Sequence, residues 1–281
     1  MIPLSVKALS KTYPGFTLRD IGFELIPGKI TGFIGRNGAG KSTTLKSLLN
    51  FVHPDSGEIR FFGLDFKAHE QEIKTRIGYV PGAFEYYGKK KIKKSTDTVR
   101  GFYPNWDEDT YRALLRRFSL DDSKTPEALS AGMKVKYALT LALSHGAELL
   151  ILDEPTSGLD PVSREDLLEI FLDLCDEGKT ILFSTHITSD LEKCADRILY
   201  IREGELIADQ PIGEFTEAWR IAEVQPDTLS AEQLSLLHGV RRSKGGGSAL
   251  VRREVADKLG LPVQKADLET VMVHLEKEET A

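Results

Sequence analysis

Cysteine is scarce in this 281-residue chain, with Cys175 and Cys194 the only two. Neither sits in a metal-type or redox-type spacing, so a disulfide framework and a zinc module are excluded, and both read as reduced core thiols. Long apolar runs are also missing, since none approaches the ~20 residues that a transmembrane helix needs. The opening Met1-Ile2-Pro3-Leu4-Ser5 lacks the basic end and apolar stretch of a secretory signal. The cytosol is therefore the expected compartment, and any membrane role is one borrowed from a partner. Nor is there an excess of positive charge: 37 Lys and Arg against 43 Asp and Glu give a net charge of -6, which argues against nucleic acid as the partner. No internal repeat is present. What remains, 41% hydrophobic and 28% charged residues, is the balance of a folded globular chain. At ~150 residues per domain the length allows two domains, or one with an appendage.

Val6 to Leu9 and Phe23 to Ile26 are short apolar runs between turn residues, as expected of strands at the edge of a mixed sheet. Ile30 to Ile34 reads as a buried strand, followed by a glycine-rich loop and a helix carrying Leu45, Leu48 and Leu49. Gly57 to Gly63 and Arg76 to Val80 read as further strands. From Phe84 to Gly146 the pattern is mostly helical, with Tyr111, Leu114, Leu115 and Phe118 on one face and Val135, Ala138, Leu139, Ala142 and Leu143 on another. Leu149 to Leu152 lacks polar alternation, which suits the middle of a parallel sheet. Ser163 and Asp166 form a candidate capping pair for a helix whose apolar face is Leu167, Leu168, Ile170, Phe171 and Leu174, with Gly178 as its stop. Thr180 to Ser184 is another buried strand, and Arg197 to Ile201 with Glu205 to Ala208 form a hairpin through Glu203-Gly204. The order predicts an α/β fold with a parallel core. Beyond residue 211 the segments shorten, with two strands around Ser243 to Ser248 and a last helix from Asp267 to Glu276. About 70 residues are expected to bury too little for an independent core and to need the main domain or a second copy.

Gly35-Arg36-Asn37-Gly38-Ala39-Gly40-Lys41-Ser42 matches the phosphate loop GxxxxGK[ST] and lies between a predicted strand and a predicted helix, where that loop functions. Its glycines let backbone N–H groups turn toward a β-phosphate. Lys41 reaches the β- and γ-phosphates, and Ser42 offers a hydroxyl to Mg²⁺ at the positive end of the helix, with Thr43 the next residue. Asp153-Glu154 closes the apolar run 149–152 at the end of a strand where open α/β sheets bind ligands. Asp153 is placed to hold Mg²⁺ through water, and Glu154 to polarise the water that attacks the γ-phosphate. Standing alone, such a pair could equally be a helix cap or a solvated turn.

Leu129-Ser130-Ala131-Gly132-Met133 resembles the signature loop of ABC ATPases, and Asp153 to Pro161 resembles their Walker B segment running into the D-loop. His186 stands where that family has its switch histidine, and Tyr13 where an aromatic ring stacks on adenine. The order of these motifs over residues 1–211 is similar to that of the family. The resemblance implies a P-loop NTPase of ABC type with a mixed sheet core, a helical subdomain at about 84–146, and a small α+β accessory region at 212–281. It implies catalytic roles for Glu154 and His186. It also implies that Ser130, Gly132 and Asp160 complete an ATP site on another subunit, either an identical copy or a related ATPase. Transmembrane permease subunits are the further partners it implies, with the chain held at the cytoplasmic face of the membrane. Tyr103-Pro104-Asn105-Trp106-Asp107 and the variant signature are similar to subunits of exporters associated with antibiotics and peptides. A non-transport or regulatory ABC ATPase is the alternative. Two departures stand out: Gly82 replaces the glutamine common after Tyr79-Val80-Pro81, with Glu85 as a candidate substitute, and Ala131 and Met133 alter the signature. Lys89 to Lys94 form a basic run that reads as a solvated loop or as a segment near an anionic membrane face.

Overall fold

A computed structural model describes residues 1–82, 90–225, 228–244 and 246–277. The chain divides into two compact units, Met1–His186 with Lys193–Asp209, and Ile187–Glu192 with Gln210–Ala281.

The first unit contains two sheets. Strands β1 (Leu4–Tyr13), β2 (Phe16–Glu24), β4 (Ser56–Phe61) and β5 (Leu64–Asp65) pair antiparallel in the order β2-β1-β4-β5. The first two strands thus belong to a separate sheet, and the expectation that they edge a single mixed sheet is corrected. The reason lies in their pairing: Leu4, Val6, Leu9, Leu18 and Ile21 are buried while Lys7, Ala8, Arg19, Asp20 and Gly22 are exposed, so each strand covers a core with one face only.

The second sheet runs β10-β9-β3-β8-β7-β6, from β3 (Ile30–Ile34), β6 (Ile77–Val80), β7 (Leu149–Asp153), β8 (Thr180–Thr185), β9 (Arg197–Arg202) and β10 (Glu205–Pro211). The β9/β3, β3/β8, β8/β7 and β7/β6 pairs are parallel. Every residue of β3, β7 and β8 is buried, as continuous apolar runs require when both faces are covered. Glu203 and Gly204, at φ 49° and 83°, form the two-residue turn from β9 to β10. Leu9, Leu18, Phe33, Leu45, Phe61, Ile151 and Leu199 share one core, so both sheets and helix α1 (Lys41–Leu48) meet there.

After α2 (Glu70–Arg76) and β6, the described residues before β7 form the α-helices α3 (Ile92–Arg100), α4 (Glu108–Arg117) and α5 (Ala131–Ser144), with a short 3-10 turn at Pro126–Ala128. Buried Thr96 lies within hydrogen-bond distance of the Tyr111 and Tyr137 hydroxyls, at 3.1 and 2.9 Å, which ties the three together without an unpaired buried hydroxyl. Asp107 caps α4 by accepting from the Asp109 and Thr110 N–H groups. Phe84, Glu85 and Lys89 lie outside the described residues. Helix α6 (Pro161–Asp176) buries the apolar face read from the sequence, but Asp160 starts it, accepting from the Val162 and Ser163 N–H groups. The Ser163 and Asp166 capping pair is therefore corrected: with Pro161 at the first helical position, Ser163 already lies inside the first turn.

In the second unit, most of α7 (Thr188–Cys194) and α8 (Ile212–Glu217) precede a four-stranded antiparallel sheet, β12-β13-β11-β14. Its strands are β11 (Trp219–Val224), β12 (Leu237–Ser243), β13 (Gly246–Arg252) and β14 (Val263–Lys265), with α9 (Ala231–Leu236), α10 (Arg253–Leu259) and α11 (Leu268–Leu275). Ala222, Val224, Leu237, Ala249, Val251 and Ala256 form a core of its own. The expectation that this segment buries no independent core is corrected: small residues on the sheet let α10 approach closely enough to close one.

Candidate nucleotide site

Strand β3 ends at Ile34, and the loop 35–40 returns the chain into α1. Gly40, at φ 120°, turns it there, and a Cβ at that position would lie about 3 Å from Ile201, Leu18 and Phe16 side-chain atoms. No side chain caps α1, so its first N–H groups stay open at the positive end of the helix.

Lys41 follows, only 5% exposed. Its ammonium donates to the Gly35 carbonyl at 2.6 Å and the Arg36 carbonyl at 3.3 Å, and lies 3.5 Å from Glu154 Oε1. A buried ammonium needs such partners, and these are the contacts that a phosphate oxygen can replace.

The parallel neighbours β7 and β8 bring the acidic residues to the same edge. Asp153 Oδ1 accepts from the Ser184 hydroxyl at 2.6 Å and from the Ser42 hydroxyl at 3.4 Å. Glu154 adopts φ 50°, a left-handed conformation uncommon outside glycine. Its N–H donates to the Ser184 carbonyl and hydroxyl at 3.1 and 3.0 Å, which holds the peptide while the side chain faces the loop. The far carboxylate oxygen lies 2.6 Å from His186 Nδ1. An ionised carboxylate can only accept, so Nδ1 carries the hydrogen in this contact. Glu154 thus joins Lys41 and His186, and backbone strain is held where a single side chain must be aimed.

These groups border a cleft of about 630 Å³ that Asn37, Gly38, Gly40, Ser42 and Thr43 also line, within the range of small-ligand sites. Phe16, Arg36 and Ser157 line it as well. Phe16 was not read from the sequence as a site residue, and Arg36, Ser157 and Ser184 were read only as members of the phosphate loop, the segment 153–161 and the strand 180–184. Ser184 left only the weak signal of a hydroxyl near the end of a mostly apolar strand. Ala39, within the loop, is buried. Tyr13 is not among the lining residues; it is 37% exposed with the Lys11 ammonium 5.7 Å from its ring centroid. It is, however, the cross-strand partner of Phe16, so both rings leave the same face of that hairpin.

Three further residues lie away from the cleft. Ser130 caps α5, its hydroxyl accepting from the Met133 N–H at 3.2 Å, and Gly132 is in the first turn of that helix, buried and facing Ser163. Asp160 accepts from the Ser163 hydroxyl at 2.6 Å, and that bond with the backbone N–H bonds holds its carboxyl below the usual carboxylate range.

Residues 18–157 match the ABC transporter family. ABC transporter ATP-binding protein YtrB of Bacillus subtilis (strain 168) is 31% identical over 227 residues, 80% of this chain and 77% of that protein. The chain belongs to the ABC transporter ATP-binding family. Nod factor export ATP-binding protein I of Burkholderia pseudomallei (strain 1710b) is 35% identical to this ABC ATPase over 215 residues, 74% of this chain and 70% of the other. A solved ATP-binding subunit of an ABC transporter superposes on it with a TM-score of 0.69 at 30% identity, covering 76% of this chain and 91% of that one. The ABC ATPase has the α/β P-loop fold of its family, binds ATP and hydrolyses it. Among its described residues no helix is long and apolar enough to cross a membrane.

Proposed function

We propose that this ABC ATPase powers export through separate transmembrane subunits, at the cytoplasmic face of the membrane. Two ATP molecules would be sandwiched between two copies, or between this chain and a related ATPase subunit. The observation that carries the reading is the Glu154 carboxylate, held between Lys41 and His186 above an uncapped phosphate loop. Export is the activity printed for one relative, and the sandwich is supported by Ser130, which sits outside the cleft that contains Lys41.

The triphosphate enters along Gly35, Asn37, Gly38, Ala39 and Gly40, whose backbone surrounds its oxygens, with Thr43 in the first turn behind. Lys41 exchanges its loop carbonyls for the β- and γ-phosphates. Adenine lies against the hairpin end that presents Tyr13 and Phe16. Ser42 and Asp153 offer oxygen donors only, side by side, and fit Mg²⁺. Among the described residues no cluster of three or more His, Cys, Asp or Glu side chains could hold a metal alone, so the remaining ligands would be phosphate and water. When bound, the ion neutralises charge on the phosphate oxygens. Glu154 accepts the proton of the attacking water. His186 holds Glu154 through Nδ1 and would border the γ-phosphate. From the other copy, Ser130 and Gly132 close on that phosphate at the start of α5, with Asp160 at the turn beside them.

Glu154→Gln keeps the shape and removes the base. It should bind ATP with affinity close to that of the parent and lose at least ~10² in steady-state phosphate release, the scale of a positioned general base. Near-normal turnover by this variant would assign the base elsewhere.

A further inference from the structure

We infer that Gly82 is a positioning residue for hydrolysis: its bare Cα against the peptide after Asp153 is what allows Glu154 to hold its left-handed, cleft-facing conformation. The inference rests on Glu154 being the base.

Strands β6 and β7 run parallel with Val80 opposite Leu152 as the last pair of the ladder. Two residues further on, Gly82 comes alongside the Asp153–Glu154 junction. A Cβ built on Gly82 would lie 2.7 Å from the Asp153 carbonyl oxygen and 3.6 Å from Glu154 Cβ. The first contact is with backbone, which cannot rotate out of the way as a side-chain tip can, so the Gly82 segment and the junction cannot both keep their places. That junction is where the chain passes from extended β7 into Glu154 at φ 50°. The Glu154 N–H is already committed to Ser184 on the opposite flank, and in the next peptide the Glu154 carbonyl accepts from the Ser157 N–H at 3.1 Å. A push from Gly82 falls on a peptide that helps to aim the carboxylate at Lys41 and His186.

Space is not lacking elsewhere at this point. A second cavity, of about 180 Å³, is lined by Gly82, Ala131, Lys134, Glu154 and Leu159. The Cβ direction, however, leads to the Asp153 carbonyl rather than into that volume, so a longer side chain starts from the same collision. The glutamine common in the family at this position is accordingly expected to harm this chain.

The test measures kcat and KM for ATP by phosphate release, affinity for a non-hydrolysable ATP analogue, and melting temperature, on the full chain. Gly82→Ala and Gly82→Gln should each lower kcat by about 10-fold or more, with KM, analogue affinity and melting close to those of the parent, since a displaced base weakens the transition state and not ground-state binding. Adding Gly82→Ala to Glu154→Gln should leave the residual rate within about twofold of Glu154→Gln alone, because groups acting as a unit are non-additive. Parental kcat in Gly82→Ala, multiplying losses in the double variant, or a Gly82→Ala chain that no longer folds would each overturn the inference. Near-normal turnover in Glu154→Gln by itself would overturn instead the assignment of the base.

Discussion

Helices α1, α5 and α6 of this ABC ATPase each begin at one of its sequence motifs, and they begin differently. Helix α1 has Gly40 before it and no side chain on its open N–H groups. Helix α5 has Ser130, whose hydroxyl caps the Met133 N–H. Helix α6 has Asp160, a carboxylate bonded to two N–H groups and to the Ser163 hydroxyl. All three offer the positive end of a helix. Only the first leaves it unsatisfied by its own chain, and it is the one joined to a buried lysine and the cleft. A neutral hydroxyl can share its cap with an incoming phosphate, whereas a carboxylate repels one. The three starts thus grade from an open helix end, through one capped by a neutral hydroxyl, to one closed by a carboxylate.

That grading can be broken at each point. The largest effect is expected at α1: Lys41→Ala should weaken nucleotide binding by about 10²-fold, the upper range for a charge-assisted hydrogen bond. Titration of a fluorescent ATP analogue checks this, and unchanged affinity would remove the phosphate loop from the site. At α5 the effects should separate. Ser130→Ala should leave nucleotide affinity of a single copy unchanged and cut phosphate release about 10-fold or more, while loss of the cap costs about 1 kcal/mol of stability. Equal loss in binding and turnover would place Ser130 in its own chain's site.

At α6 the smallest change is expected, and it concerns stability. The Asp160 carboxyl is held below its ordinary 3.8, so its contribution is present above that pH and is lost as the pH falls through the depressed value. Asp160→Ala should melt a few degrees lower than the parent near neutrality, and the gap should close below about pH 4. A gap independent of pH would mean that the charge is not what caps the helix. His145 gives a contrasting titration in the helical segment. It is buried and stacked on Tyr103 at 3.9 Å, and burial lowers its pKa, so its neutral form is favoured and stability should fall as the pH drops below about 6.5. Thermal melts of His145→Gln at pH 7 and 5.5 should show a flatter dependence than the parent.

Much of this was legible because it is local. The phosphate loop, the apolar run before Asp153-Glu154, the Glu203-Gly204 hairpin and the apolar face of α6 are each written within a dozen residues, where turn chemistry and periodicity act directly. The cap of α6 was misplaced because capping patterns overlap, and only geometry shows that Asp160 reaches the N–H groups first. Phe16, Ser157 and Ser184 carried too little local signal, since their meaning comes from what the fold sets beside them. The second unit was judged by length alone, and length does not report that Ala222, Ala249 and Ala256 let a sheet and a helix close a small core.

By itself, the sequence determined the kinds of element, the order of the motifs and the chemical groups available for handling a triphosphate. Tertiary structure decided which groups meet. Ser42 touches Asp153 from 111 residues away, Lys41 faces Glu154, and Gly82 lies against the peptide that aims it. These encounters follow from β8 inserting between β3 and β7 and from β6 lying parallel beside β7. Strand order is set by burial of whole faces across the molecule, and no stretch of neighbouring residues encodes it.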